Sequence, residues 1–219
     1  MTRSGLQAEV IEIVDGFRNL VLAHSAYLLG AVALITALYS VADLFVTPAA
    51  AFVPNLIVTI YGQFLIVERL LQDRLPDGKG FRRFGSIFGS AFLSGLAILL
   101  AAIALVVPAI FLIARWSIAV PAIIAENNSA AESLSTSWDR TAASKLPIFL
   151  IYVVATIVWA GTIWLTFAVG DMVPGGNAVA LSIVVNALVG GVAVLGWVLS
   201  VAIYRRITPD NARFEAVFA

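Results

Sequence analysis

"ALVVPAIFLIARWSIAVPAIIAE", residues 104–126, is apolar almost throughout, yet it carries two prolines, an arginine and a closing glutamate. A membrane-spanning helix needs roughly 17–25 apolar residues. The apolar run that contains this stretch begins at residue 86, too long for one crossing and about right for two. Two crossings demand a turn at Pro108, built with almost no polar residue, and the count of spans in the whole chain rests on that turn.

The surrounding composition makes the question one of membrane topology. Of 219 residues, 61% are hydrophobic and 12% charged, against about 45–50% and about 25% in soluble domains. Apolar runs fall at 21–46, 52–69, 86–107, 109–125, 147–170 and 178–203. The first resembles the apolar region of a leader, with Ala49 and Ala51 in an A-x-A pattern. Such regions are only about 7–15 residues long, so this run reads as a retained anchor.

Lys and Arg orient the spans, because loops on the cytoplasmic side keep positive charge. Arg3 and Arg18 precede the first span; Arg69, Arg74, Lys79, Arg82 and Arg83 lie between the second and third; Arg140 and Lys145 between the fourth and fifth; Arg205, Arg206 and Arg213 after the sixth. Every basic residue but Arg115 then lies on one side. Fusing the third and fourth spans would export the last two groups. The expected fold is an all-α, polytopic integral membrane bundle of six transmembrane helices in a single domain over 1–219, with both termini cytoplasmic in a bacterial inner membrane.

Amphipathic segments join the hairpins. In residues 1–20, Leu6, Val10, Ile13, Val14 and Phe17 form one helical stripe opposite Glu9, Glu12 and Asp15. Surface helices on anionic lipid favour Lys and Arg, so docking against the protein itself is at least as good a reading. The loop "DRLPDGKGFRRFGS" turns at Pro76, Asp77 and Gly78 and places Arg74, Lys79, Arg82 and Arg83 near lipid headgroups; a plain topology signal explains the same charges. A third helix over 129–145 starts at Ser129, whose spacing to Glu132 makes a capping box. Leu134, Trp138 and Thr141 share one of its faces, and Pro147 opens the next span where its missing N–H does no harm. Residues 204–219 form a cytoplasmic tail.

An apolar span with Arg115, Pro121 and Glu126, followed by a small polar helix with Leu134, Ser137 and Trp138, resembles the membrane domain named after glycerophosphodiester phosphodiesterases and related bacterial inner-membrane proteins. That likeness implies the six-span layout. The chain departs from the pattern at Ser135 and Thr136, where a basic residue often stands, so no phosphate-binding role carries over to this helix. Nor does the enzyme: hydrolysis of that kind uses histidines and carboxylates around a metal, and His24 is the one histidine here. No cysteine is present, and no nucleophile elbow, Gly-rich phosphate loop or H-E-x-x-H occurs. Neither cofactor nor nucleic acid is expected.

The ionisable residues within spans are the candidate sites. Arg115 needs compensation in hydrocarbon; Asp43, placed by this topology in the same half of the bilayer, is the expected partner, with snorkelling or an anionic substrate or headgroup as alternatives. Glu126 follows eleven residues later, about 16 Å along a helix, and reads as a clamp between the fourth span and the surface helix, alongside Ser129, Glu132 and Ser137. Proton or cation coupling is the competing role. Gly85 with Gly89 and Ala187 with Gly191 are small residues at packing spacing, leaving room for a second copy or another membrane protein as partner. Trp116, Trp159, Trp164 and Trp197 read as lipid-facing or interfacial. The expected function is a non-catalytic, lipid-associated or scaffolding component of the cell envelope; the alternative is a small transporter or lipid carrier with a site near Arg115.

Overall fold

The structure, a computed structural model, describes residues 3–45, 48–75, 78–172 and 178–208. They form α1 (Arg3–Ala23), α2 (Ser25–Phe45), α3 (Pro48–Leu70), a 3-10 turn (Gln72–Arg74), α4 (Phe84–Ala104), α5 (Val106–Arg115), α6 (Ala119–Glu126), α7 (Ala130–Arg140), α8 (Lys145–Met172) and α9 (Ala178–Ile207). Six segments are long and apolar enough to cross a membrane: α2, α3, α4, α5 with α6, α8 and α9. The expected turn residues Pro76 and Asp77, and the tail beyond residue 208, lie outside the described residues.

Prolines punctuate the fourth crossing, but the breaks lie upstream of them. The hairpin between α4 and α5 turns at Leu105, which is fully extended (φ −163°, ψ 141°), and not at Pro108. Proline removes the N–H that would bond residue i−4 and its ring crowds that carbonyl. The strain therefore falls on Ala104, and the new helix starts so that Pro108 occupies its third position, where an N–H is free anyway. Pro121 repeats the arrangement: the crossing breaks at Trp116–Ile118 and α6 begins at Ala119. Pro147 is likewise third in α8.

α9 is the hub, packing on α1, α2, α3, α6 and α8. Val194, Val198, Val201, Ile203 and Tyr204 are buried along it. Close approach is set by Gly190, where a Cβ would come within 3.3 Å of Ile35, and by Gly62, where one would touch Trp197 at 3.5 Å. Of the glycines in the expected small-residue pairs, Gly89 sits at a close approach, where a Cβ would stand 3.1 Å from Ala130; at Gly85 and Gly191 a Cβ would meet nothing within 4 Å among the described residues. Trp197 is buried, whereas Trp159 and Trp164 are exposed. Periodicity marks which residues are small, but only packing selects which of them meet a neighbour.

α1 docks on the bundle through Ile13, Phe17 and Leu20, against α8 and α9. Val14 of the expected stripe is exposed. The acidic face is used as well: Glu12 pairs with Arg206 at 2.6 Å and Glu9 accepts from Ser144. Further contacts draw the basic segments to the same end, with Arg74 and Arg140 both donating to Thr208 and Arg205 pairing with Asp73. This common end is the geometric counterpart of the sorted charge pattern.

Candidate functional site

The break in the fourth crossing strands two main-chain groups. In a continuous helix the Arg115 carbonyl would accept from Ala119 N–H, but that N–H bonds Trp116 instead, at 3.2 Å. Ile118 N–H also lies off the regular ladder. α7 fills both vacancies with one side chain: Ser137 Oγ donates to the Arg115 carbonyl at 2.8 Å and accepts from Ile118 N–H at 3.3 Å. The Thr141 hydroxyl stands 3.2 Å from the same carbonyl and 2.7 Å from the Ser137 carbonyl.

α7 presents its polar stripe inward to do this. Ser133, Ser137 and Thr141, at steps of four, are all 0% exposed, whereas Trp138 is 39% exposed. The expected face of Leu134, Trp138 and Thr141 is thus turned partly outward. The cap is formed as the spacing implies: Ser129 N–H donates to Glu132 at 2.8 Å and Glu132 N–H to the Ser129 hydroxyl at 3.4 Å. The Ser129 N–H and hydroxyl, both set against the carboxylate, hold the Glu132 carboxyl below the usual range for glutamate.

Arg115 and Asp43 do not meet. Arg115 is 4% exposed; it donates to the Trp138 carbonyl and stacks its guanidinium over the Trp138 ring, 4.3 Å from the centroid. Aromatic faces attract a desolvated guanidinium. Asp43 instead accepts from Asn186 at 2.8 Å, joined by Ser182 at 3.4 Å. The expected pair assumed that Arg115 lies in the outer half of a straight crossing. The break at Trp116–Ile118 brings it against the corner of α7 and α8, whose Arg140 and Ser144 reach the ends of α9 and α1.

Glu126 closes a second node. It receives both ends of the Arg140 guanidinium, one at 2.9 Å, and the Tyr204 hydroxyl at 2.6 Å, tying α6 to α7 and α9. Burial opposes the charge on Arg140, but the Glu126 carboxylate outweighs it and raises the guanidinium above its ordinary value. At the start of α7 the Ser129 N–H is served by Glu132 and the Glu132 N–H by the Ser129 hydroxyl, and neither by Glu126. Tyr204 was invisible as a partner because it lies 78 residues away; Arg140, read only as a topology charge, carried no local sign of its second role.

The headgroup candidates divide. Arg74 bonds the Thr208 carbonyl at 3.2 Å and Arg83 donates to the Asn127 carbonyl, while Lys79 and Arg82 are exposed. Their loop is strapped down by Gly80 N–H on Glu68 at 2.8 Å and Phe81 N–H on the Ile124 carbonyl at 2.9 Å. A Cβ at Gly80 would stand 2.6 Å from Ile124, so only glycine fits beneath α6. His24 sits at the break between α1 and α2, with Nδ1 3.2 Å from the Leu20 carbonyl. Among the described residues no cluster of three His, Asp or Glu is placed to hold a metal ion. Comparison with protein-family models, with curated proteins and with solved structures gives no match to this chain.

Proposed function

We propose that this chain is a non-catalytic, lipid-associated scaffold of the bacterial inner membrane, with both termini cytoplasmic and its charged end presented to the cytoplasm. The observation that carries the reading is the use of Ser137. Discontinuous helices in transporters leave main-chain groups for a substrate or ion; here α7 consumes the groups released by the break, and Glu126 and Asp43 are each taken up by other helices. Polar chemistry is spent on joining elements, while α4 and α8 turn broad apolar faces outward, including Phe92, Ile103 and Phe167.

One feature favours the carrier as a second reading: the break lies beside a buried cation whose Nε and Nη1 have no hydrogen-bond partner among the described residues. A carrier must open that break to water in some state. The chain has no cysteine, so single cysteines report directly. For a scaffold, Ser117→Cys at the break stays inert to a membrane-impermeant maleimide from either face and reacts after denaturation. Lys79→Cys and Asn128→Cys, at the charged end, react only from the cytoplasmic face. Labelling of Ser117→Cys in the folded protein supports the carrier, and labelling of Lys79→Cys from outside intact cells overturns the orientation.

A further inference from the structure

At the charged end, an open groove of about 710 Å³ runs between α1, the break at His24, the end of α3 and the end of α9. Asn19, His24, Arg69, Gln72, Asp73 and Arg205 supply its polar lining. Gly16 lies on its wall, inside α1, where glycine is a poor helix former. A Cβ there would meet nothing within 4 Å among the described residues, so none of them requires glycine at this position for packing.

The charges in the groove have different tasks. Arg205 is engaged by Asp73 and by the Leu70 carbonyl at 2.6 Å, and it frames the wall. Arg69 is exposed and donates to the Gln72 side-chain oxygen; among the described residues no carboxylate stands within ion-pair distance of it. One guanidinium with open donor capacity, beside two side-chain amides, matches a singly charged phosphodiester. Leu22, at the end of α1, and Leu29 and Leu65, on α2 and α3, are exposed apolar residues on the helices that border the groove, available to acyl chains. Polar donors at the helix ends, with bare apolar faces leading away, suit an amphiphile better than a soluble anion.

We propose that this groove binds the phosphodiester headgroup of a membrane glycerophospholipid, with Arg69 as its principal contact and Gly16 leaving the space it occupies. The inference rests on the lipid-associated reading above and narrows it to one site. The test uses the full chain in detergent, titrated by native mass spectrometry with dioleoylphosphatidylglycerol, with dioleoylglycerol of the same acyl chains, and with inorganic phosphate. One phosphatidylglycerol is expected per chain, at least fivefold preferred over dioleoylglycerol, and inorganic phosphate is expected to bind far more weakly.

Arg69→Gln should lower phosphatidylglycerol affinity about fivefold, the factor one basic residue contributes at an anionic surface. Gly16→Leu should lower it at least as much by filling the groove. Lys145→Gln, exposed at the start of α8 and outside the lining of the groove, should leave it unchanged, and thermal unfolding of each variant verifies folding. Equal binding of dioleoylglycerol, no loss in Gly16→Leu, or an equal loss in Lys145→Gln overturns the site; inorganic phosphate binding as tightly as the lipid assigns the groove to a soluble anion and overturns the lipid. Labelling at Ser117 is independent of Arg69, so failure of the groove leaves the scaffold reading to stand or fall separately.

Discussion

Removing the Ser137 hydroxyl should weaken the protein far more than removing the Ser133 hydroxyl one turn earlier on α7. Both serines are 0% exposed, and serine to alanine deletes the same atom at each. Their partners differ. Ser133 Oγ donates to the Ala130 carbonyl of its own helix at 2.8 Å, a group already served by the helix ladder. Ser137 Oγ is the acceptor for Ile118 N–H, and Ile118 is 0% exposed. In Ser137→Ala the Arg115 carbonyl retains the Thr141 hydroxyl at 3.2 Å, so one N–H is orphaned. An unsatisfied buried group costs about 1–3 kcal/mol, and the better helix propensity of alanine returns up to about 0.5 kcal/mol. The net loss is about 0.5–2.5 kcal/mol, a fall in Tm of roughly 1–10 °C at about 2–4 °C per kcal/mol. Ser133→Ala should stay within about 0.5 kcal/mol of the parent. Thermal unfolding in detergent, followed by tryptophan fluorescence, compares the two. Equal losses, or no loss in Ser137→Ala, would refute the assignment of α7 as the filler of the break.

The Glu126 node should respond in a graded way. Glu126→Gln keeps an acceptor for Tyr204 and Arg140 but gives up charge assistance, for about 1 kcal/mol; Glu126→Ala leaves a guanidinium and a hydroxyl unserved, for about 1–3 kcal/mol. Equal, near-zero losses would refute the clamp, and loss of a membrane phenotype in Glu126→Gln with stability and abundance intact would point to coupling of a proton or cation. The α7 cap should be acid-sensitive. Because two bonds from Ser129 lower the Glu132 pKa, its contribution is full above the ordinary value of about 4.3 and is lost as pH falls through the lowered one. The Tm advantage of the parent over Glu132→Gln should be constant above about pH 5 and shrink below about pH 4; an advantage unchanged at pH 3 would sink this account.

Features governed by neighbouring residues were legible before any coordinates. Hydropathy and basic residues marked six crossings, Ser129 and Glu132 announced the start of α7, and α8 starts with Pro147 in its first turn. Each depends on contacts within a turn or on the length of an apolar run. Even here locality misled by a few residues: the breaks fall at Leu105 and Trp116–Ile118, because proline acts on the carbonyl four residues before it.

Sequence by itself thus determined which segments are helical, how many can cross and where the charges gather. Only the tertiary structure decided which polar groups meet. Arg115 found Trp138 rather than Asp43, Asp43 found Asn186, and Glu126 found Arg140 and Tyr204. It also turned the Ser133–Ser137–Thr141 stripe of α7 inward, although its Trp138 would lead inward in a soluble protein. At a membrane surface an indole can stay outward at little cost, so hydrogen bonds and close packing choose the buried face instead. Those partners lie on other helices, and the positions of those helices are set only when the chain folds.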